Sequence, residues 1–173
     1  MKRFTILTTA LIRNDVHKKG ILNFLNLILE SKKIMESVKI NLIINLDIVK
    51  RDKEKEIALV KNVFMNLSNK NVAVYLLESR NPCFHNAFKR VFKKANEIIN
   101  GKEDNIFMWL EDDWYITKDN FEKIVEPQFI NYINDKNIDC LTMYNEYPSG
   151  PPYCFKKKWF NMVVNVLLNE KIL

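Results

Sequence analysis

The feature that most constrains the fold is one stretch in the second half of the chain, residues 106–114, which reads IFMWLEDDW. Five apolar residues run without a break into three carboxylates, Glu111, Asp112 and Asp113. An apolar run of this kind predicts a strand buried on both faces of a parallel sheet. The acids then emerge at its carboxyl end, the edge where open α/β sheets bind ligands. They suit a divalent cation or a cationic partner, and the alternative is a polar loop that merely follows a strand.

Strand and helix patterns alternate along the rest of the chain. β-rich runs predict strands at residues 4–10, 40–46, 72–77 and 138–144, and a short separate segment at 153–156. Apolar residues at helical spacing predict helices at 16–31, 50–67, 81–98, 118–134 (interrupted at Pro127) and from 159 onward. Strands separated by single helices predict an α/β, Rossmann-like, mostly parallel sheet with helices on both faces. The length of 173 residues fits a single domain, 1–173.

Glycine content and charge exclude several classes of protein. The chain has three glycines, and none follows the first strand as G-x-G-x-x-G. A dinucleotide-dependent oxidoreductase or a P-loop NTPase is therefore disfavoured. The net charge of +6 comes mainly from dispersed lysines, so no nucleic acid partner is expected. Attraction to anionic ligands such as phosphates is an alternative explanation of the charge. Binding to an acidic membrane surface is a further alternative, which the sequence does not indicate.

The cysteines and the N-terminus bear on the compartment. Cys83, Cys140 and Cys154 are widely spaced and form no C-x-x-C pair, which favours reduced thiols over a zinc site or a disulfide framework. We expect Cys83 to be a buried small residue rather than a nucleophile. The sequence lacks a signal-peptide cleavage pattern and an apolar stretch of roughly 20 residues. These features predict a cytoplasmic protein.

The order of elements, with an acidic cluster after the fourth strand, resembles the nucleotide-sugar-binding part of a GT-A glycosyltransferase, and family-2-like enzymes are the nearest within that class. The resemblance covers approximately residues 4–155. In it, Glu111-Asp112-Asp113 corresponds to the D-x-D motif as a Glu-Asp-Asp variant, and Asn86-Ala87 corresponds to the start of the third helix. It implies a Mn²⁺ or Mg²⁺ cofactor, with Asp113 as the direct metal ligand.

The same resemblance implies the other contacts to the nucleotide sugar. Asp112 or Glu111 would reach the ribose or the donor sugar, and Asp47, or less directly Asn45, would meet the base. The remaining residues implied to bind the nucleotide sugar are Thr8, Thr9, Ala10, Arg13, Arg80 and Asn86. Arg13, Arg80 or Lys89 would add positive charge near the diphosphate, although each is also explained as a solvated or structural side chain.

The implied activity is metal-dependent, inverting transfer of a sugar from a UDP- or GDP-sugar to a hydroxyl group of a glycan or another acceptor. An inverting reaction needs a carboxylate as general base, and Glu146 is the candidate, followed by Glu170. Few residues follow the acidic cluster, and the chain ends inside a predicted helix, so we expect a fragment or a short family member. The alternative is a catalytically reduced domain that binds nucleotide sugar or glycan, or that partners a longer enzyme. Nucleotidyl transfer to a sugar phosphate is disfavoured because the glycine-rich first loop is missing.

Overall fold

The computed structural model describes residues 2–11, 15–31, 38–47, 54–79, 81–99, 105–111, 116–136, 138–142 and 153–169. The strands in these ranges are β1 (Lys2–Leu11), β2 (Val38–Asp47), β3 (Val72–Ser79), β4 (Asn105–Glu111), β5 (Cys140–Thr142) and β6 (Tyr153–Lys156). The helices are α1 (Asp15–Glu30), α2 (Glu54–Asn66), α3 (Phe84–Ile99), α4 (Lys118–Val125), α5 (Pro127–Asp135) and α6 (Lys157–Asn169). The break between α4 and α5 confirms the predicted interruption at Pro127.

The described strands form one mixed sheet in the order β3-β2-β1-β4-β6-β5. β1 pairs in parallel with β2 and with β4, and β2 pairs in parallel with β3. β6 is antiparallel to both β4 and β5. The predicted α/β class with a mostly parallel sheet is therefore confirmed, and the strand order is compatible with a Rossmann-like fold. The segment at 153–156 forms β6, which lies between β4 and β5 in the sheet. The sequence predicts it only as a short separate segment, because four residues are too few to show a period.

The central strands are buried on both faces of the sheet. Adjacent residues in β1, such as Ile6 and Leu7, both have no exposed surface, although successive side chains of a strand point to opposite faces. The same holds for Leu42 and Ile43 of β2. Burial on both faces explains why these strands read as continuous apolar runs rather than as alternating patterns.

Right-handed crossovers place α1 and α2 on one face of the sheet and α3 on the other, because the chain moves from β1 to β3 in one direction and then returns to β4. On the α3 face, the ring of Phe107 in β4 stacks on Phe160 of α6 with centroids 4.2 Å apart. On the opposite face, Phe24 of α1 meets Phe121 of α4 edge-on at 6.1 Å. Helices thus cover both sides. No helix in the described ranges has the length and apolar character to cross a bilayer.

The strand order also locates a switch point in the topology. β2 and β3 are added on one side of β1, whereas β4 is added on the other side. Ligands of open α/β sheets bind outside the carboxyl ends of the strands where the order reverses. In this protein that point lies between the carboxyl ends of β1 and β4.

Candidate ligand site at the carboxyl edge of the sheet

The carboxyl ends of β1, β2 and β4 bring polar side chains into one row. Thr9 of β1 is in register with Asn45 of β2 on one side and with Glu111 of β4 on the other. Residues in register on neighbouring strands point to the same face, which here is the face covered by α3. Asp47 lies two residues beyond Asn45 on that face. The carboxyl edge at and beside the switch point therefore carries two carboxylates, a hydroxyl and an amide on three adjacent strands.

At the end of β2, Asp47 forms a closed polar network. Its Oδ1 accepts hydrogen bonds from Asn45 Nδ2 at 2.8 Å and from Arg90 Nη2 at 3.0 Å. Its Oδ2 accepts from the backbone N–H of Cys83 at 3.3 Å. Arg90 Nε also donates to Asn45 Oδ1 at 2.7 Å. The carboxylate has only 5% of its side chain exposed, and a charge buried this deeply requires partners of this kind.

The sequence of α3 explains how one helix reaches Asp47 at two points. Cys83, Ala87 and Arg90 follow helical spacing and share one face, and Ala87 is buried against the sheet. Side chains of a helix point toward its N-terminus, so Arg90 reaches back toward the start of α3, and the N–H of Cys83 lies directly before that start. The network thus ties the start of α3 to the end of β2.

Arg90 completes this network, although the positive side chains that the sequence and the resemblance point to are Arg13, Arg80 and Lys89. A signal for it does exist. Asn45 and Asp47 interrupt an otherwise apolar strand at a spacing of two, and a buried polar pair of this kind needs a donor from the helix packed against it. Arg90 stands within the apolar stripe of that helix, directly before Val91, which is fully buried.

At the end of β4, Glu111 is half-buried and lies beside a tryptophan. Trp109 Nε1 donates a hydrogen bond to Glu111 Oε1 at 3.4 Å. Trp109 itself is 6% exposed, which confirms its predicted place in the core, and it packs edge-on against Phe88 of α3 with ring centroids 4.8 Å apart. A packed aromatic ring therefore orients the one acid of the cluster that the structure describes.

The other predicted site residues fall into three groups. Thr8 and Ala10 are buried on the opposite face of β1, and Thr8 Oγ1 has no hydrogen-bond partner among the described residues. Asn86 is exposed in the first turn of α3. The residues that lie outside the described ranges are Arg13, Arg80, Asp112, Asp113, Glu146 and Glu170. Of the predicted residues, the structure brings together Thr9, Asp47 and Glu111 at one edge.

The donor atoms at this edge fit a hard divalent cation in kind. Glu111 offers carboxylate oxygens, and Mg²⁺ and Mn²⁺ prefer oxygen ligands. Asp112 and Asp113 follow it directly in the sequence. Within the described ranges, no group of three or more His, Cys, Asp or Glu side chains is placed to hold a metal. The predicted ligand Asp113 is not among those residues, so its role stays a prediction.

The three cysteines are free thiols, as expected. Cys83, which we predicted to be buried, is exposed at the start of α3, and that prediction is wrong. Its burial was inferred from residue type, whereas its position before the first helical turn leaves it at the surface. Cys154 is buried in β6, and burial raises the pKa of its thiol well above the ordinary value.

Comparison of the sequence with known proteins does not assign it to a family. No family model matches the sequence, and no curated protein matches it either. The fold and the carboxyl-edge residues therefore carry the functional argument.

Proposed function

We propose that this protein is a metal-dependent glycosyltransferase that transfers a sugar from a nucleoside-diphosphate sugar to an acceptor hydroxyl. One observation carries the proposal: Glu111 ends β4 in register with Thr9 of β1, at the switch point of the sheet. Glu111 thus ends its strand at the edge where ligands of such folds bind, and the two further acids, Asp112 and Asp113, follow it in the sequence.

The three acids would act on the negatively charged leaving group through a metal ion. Carboxylate oxygens of Glu111, Asp112 and Asp113 would hold Mn²⁺ or Mg²⁺, and a bound ion would neutralise the charge that develops on the diphosphate when the sugar leaves. The side chain of Trp109 orients Glu111 through its N–H. The glycine-poor first loop supports side chains and a metal, rather than backbone amides, as the means of holding phosphates.

The polar network at β2 supports the proposal from the other side of the edge. It ties the N-terminal end of α3 to Asp47 through the Cys83 N–H and Arg90, so this end of the helix, with the exposed Asn86, is held in place near the carboxyl edge. Sites built on elements held by packing and hydrogen bonds position their ligands more closely than free loops do. The inverting outcome and the role of Glu146 as the general base remain part of the proposal.

Calorimetric titration with UDP and GDP, with and without Mn²⁺, tests the proposal directly. We expect metal-dependent binding that is lost in Asp113→Ala and retained in Asp135→Ala, which removes an exposed acid at the end of α5. Sugar transfer or donor hydrolysis should follow the same pattern. Metal-independent behaviour, or full binding by Asp113→Ala, would refute the metal site. Nucleotide binding without any turnover would indicate the alternative, a binding domain that has lost catalysis.

A further inference from the structure

Two exposed aromatic side chains adjoin the same buried tryptophan. Phe84, the first residue of α3, is 57% exposed, and its ring meets Trp109 edge-on with centroids 6.3 Å apart. Tyr153, the first residue of β6, is 37% exposed and lies directly opposite Trp109 in the β4–β6 ladder. Directly opposite residues of an antiparallel pair share one face of the sheet. Both aromatic side chains therefore belong to the surroundings of Trp109.

Their position places them at the carboxyl edge of the sheet. α3 follows the carboxyl end of β3, and β6 begins where β4 ends because the two strands are antiparallel. Trp109 stands two residues before Glu111 and donates a hydrogen bond to it. Phe84 and Tyr153 thus lie beside the tryptophan that orients Glu111.

The rings beneath Phe84 are tightly packed. Trp109 rests on Phe88 and on Phe92, with centroids 4.8 Å and 6.0 Å away. Phe88 and Phe92 themselves lie 4.3 Å apart, and Phe84 contacts Phe88 at 6.2 Å. An exposed ring on such a support loses little conformational freedom when a ligand stacks on it, which favours binding.

The order of strands indicates which part of the ligand meets these rings. Neighbouring strands lie about 4.8 Å apart, and the edge runs from β2 through β1 and β4 to β6. If the base lies near Asp47 on β2 and the diphosphate near the acids after β4, the sugar extends toward β6. Tyr153 stands on that side, and Phe84 covers the edge between Asp47 of β2 and Trp109 of β4.

We propose that Phe84 and Tyr153 form a stacking surface for the sugar ring of the nucleotide sugar, an inference that rests on the proposed function. The face of an aromatic ring carries partial negative charge and packs well against the C–H groups of a pyranose. Aromatic side chains with a few polar groups are also the usual lining of small-molecule sites. The pair recognises the sugar, whereas the acids and the metal hold the diphosphate.

The test compares affinities for a nucleoside diphosphate with and without its sugar. UDP and a UDP-hexose, and GDP and a GDP-hexose, are titrated with Mn²⁺ into the wild type, Phe84→Ala, Tyr153→Ala and the double variant. We expect each single variant to weaken binding of the sugar-bearing ligand about fivefold to tenfold, with affinity for UDP and GDP unchanged. Phe84→Tyr and Tyr153→Phe should restore it. The control is Tyr132→Ala, which removes an aromatic ring of α5 that is 51% exposed.

The outcomes separate the two proposals. If the wild type binds no nucleotide in the presence of Mn²⁺, the proposed function fails and this inference falls with it. If the wild type binds but the variants keep the full affinity for the sugar-bearing ligand, the stacking surface alone is refuted. Equal losses for both kinds of ligand would place the rings at the base or the diphosphate and would overturn their assignment to the sugar.

Discussion

The ends of β2 and β4 lie two strands apart on the same edge, yet they are held by different forces. Asp47 at the end of β2 is a buried charge fixed by an arginine, an amide and a backbone N–H. Glu111 at the end of β4 is half-buried beside a tryptophan that packs on phenylalanines. The carboxylate of Asp47 is therefore engaged within the protein. Glu111 instead ends a strand whose support comes from packed aromatic rings.

The largest effect should come from breaking the aromatic support of β4. Phe92 is 1% exposed and contacts the rings of Phe88, Trp109 and Phe160. We expect Phe92→Ala to lower the free energy of unfolding by about 3–5 kcal/mol, because a buried ring is lost and a cavity remains. Urea denaturation measures this loss. Phe84→Ala on the same helix should cost less than about 1 kcal/mol because its ring is mostly exposed, and equal losses in the two variants would contradict the packing described for α3.

The next effect should come from opening the network at β2. We expect Arg90→Met to lower the free energy of unfolding by about 3 kcal/mol, because Asp47 would remain buried without its cation. The control is Lys61→Met, which breaks an ion pair of 2.7 Å between side chains that are 33% and 40% exposed and should cost about 0.5 kcal/mol. If both variants lose the same small amount in urea denaturation, Asp47 is solvated rather than buried.

A smaller loss of stability is expected at alkaline pH, and it comes from the Cys154 thiol. Cys154 lies in β6, opposite Met108 of β4. Burial raises the pKa of the Cys154 thiol above its ordinary value of 9.0, so the folded state keeps a proton that the unfolded chain releases. Stability from this group is fully present below pH 9.0 and declines above it, by up to about 1.4 kcal/mol per pH unit. Unfolding by urea across alkaline pH should show this decline in the wild type and less of it in Cys154→Ala. Identical slopes would mean that the thiol is accessible in the folded protein.

The smallest effect is expected from removing the hydrogen bond between Trp109 and Glu111. Trp109→Phe keeps a packed ring but removes the N–H that donates to Glu111. We expect a loss of about 1 kcal/mol in unfolding free energy and a severalfold weaker Mn²⁺-dependent affinity for UDP or GDP. The comparison variant is Trp159→Phe, because the ring of Trp159 packs on Phe155 in the same aromatic region. If both variants bind equally well in calorimetry, the hydrogen bond does not position Glu111.

Much of the fold could be predicted because the periodicity of side chains reports directly on local structure. The uninterrupted run at 106–110 indicated a strand buried on both faces, and these five residues are buried. For the candidate site, the acid at Glu111 followed from the strand pattern, whereas Thr9 and Asp47 were implied by the resemblance to GT-A enzymes; all three lie near the carboxyl ends of adjacent parallel strands. Asp113, Glu146 and the metal remain predictions.

By itself, the sequence determined the α/β class and the edge at which Glu111 ends β4, because strand burial and strand direction follow from local patterns. Tertiary structure decided which distant residues meet. Arg90 reaches Asp47 across 43 positions of the chain, and β6 inserts between β4 and β5. It also placed Phe84 and Tyr153 beside Trp109 and left Cys83 at the surface. These outcomes depend on helix packing and strand order, which no local period encodes.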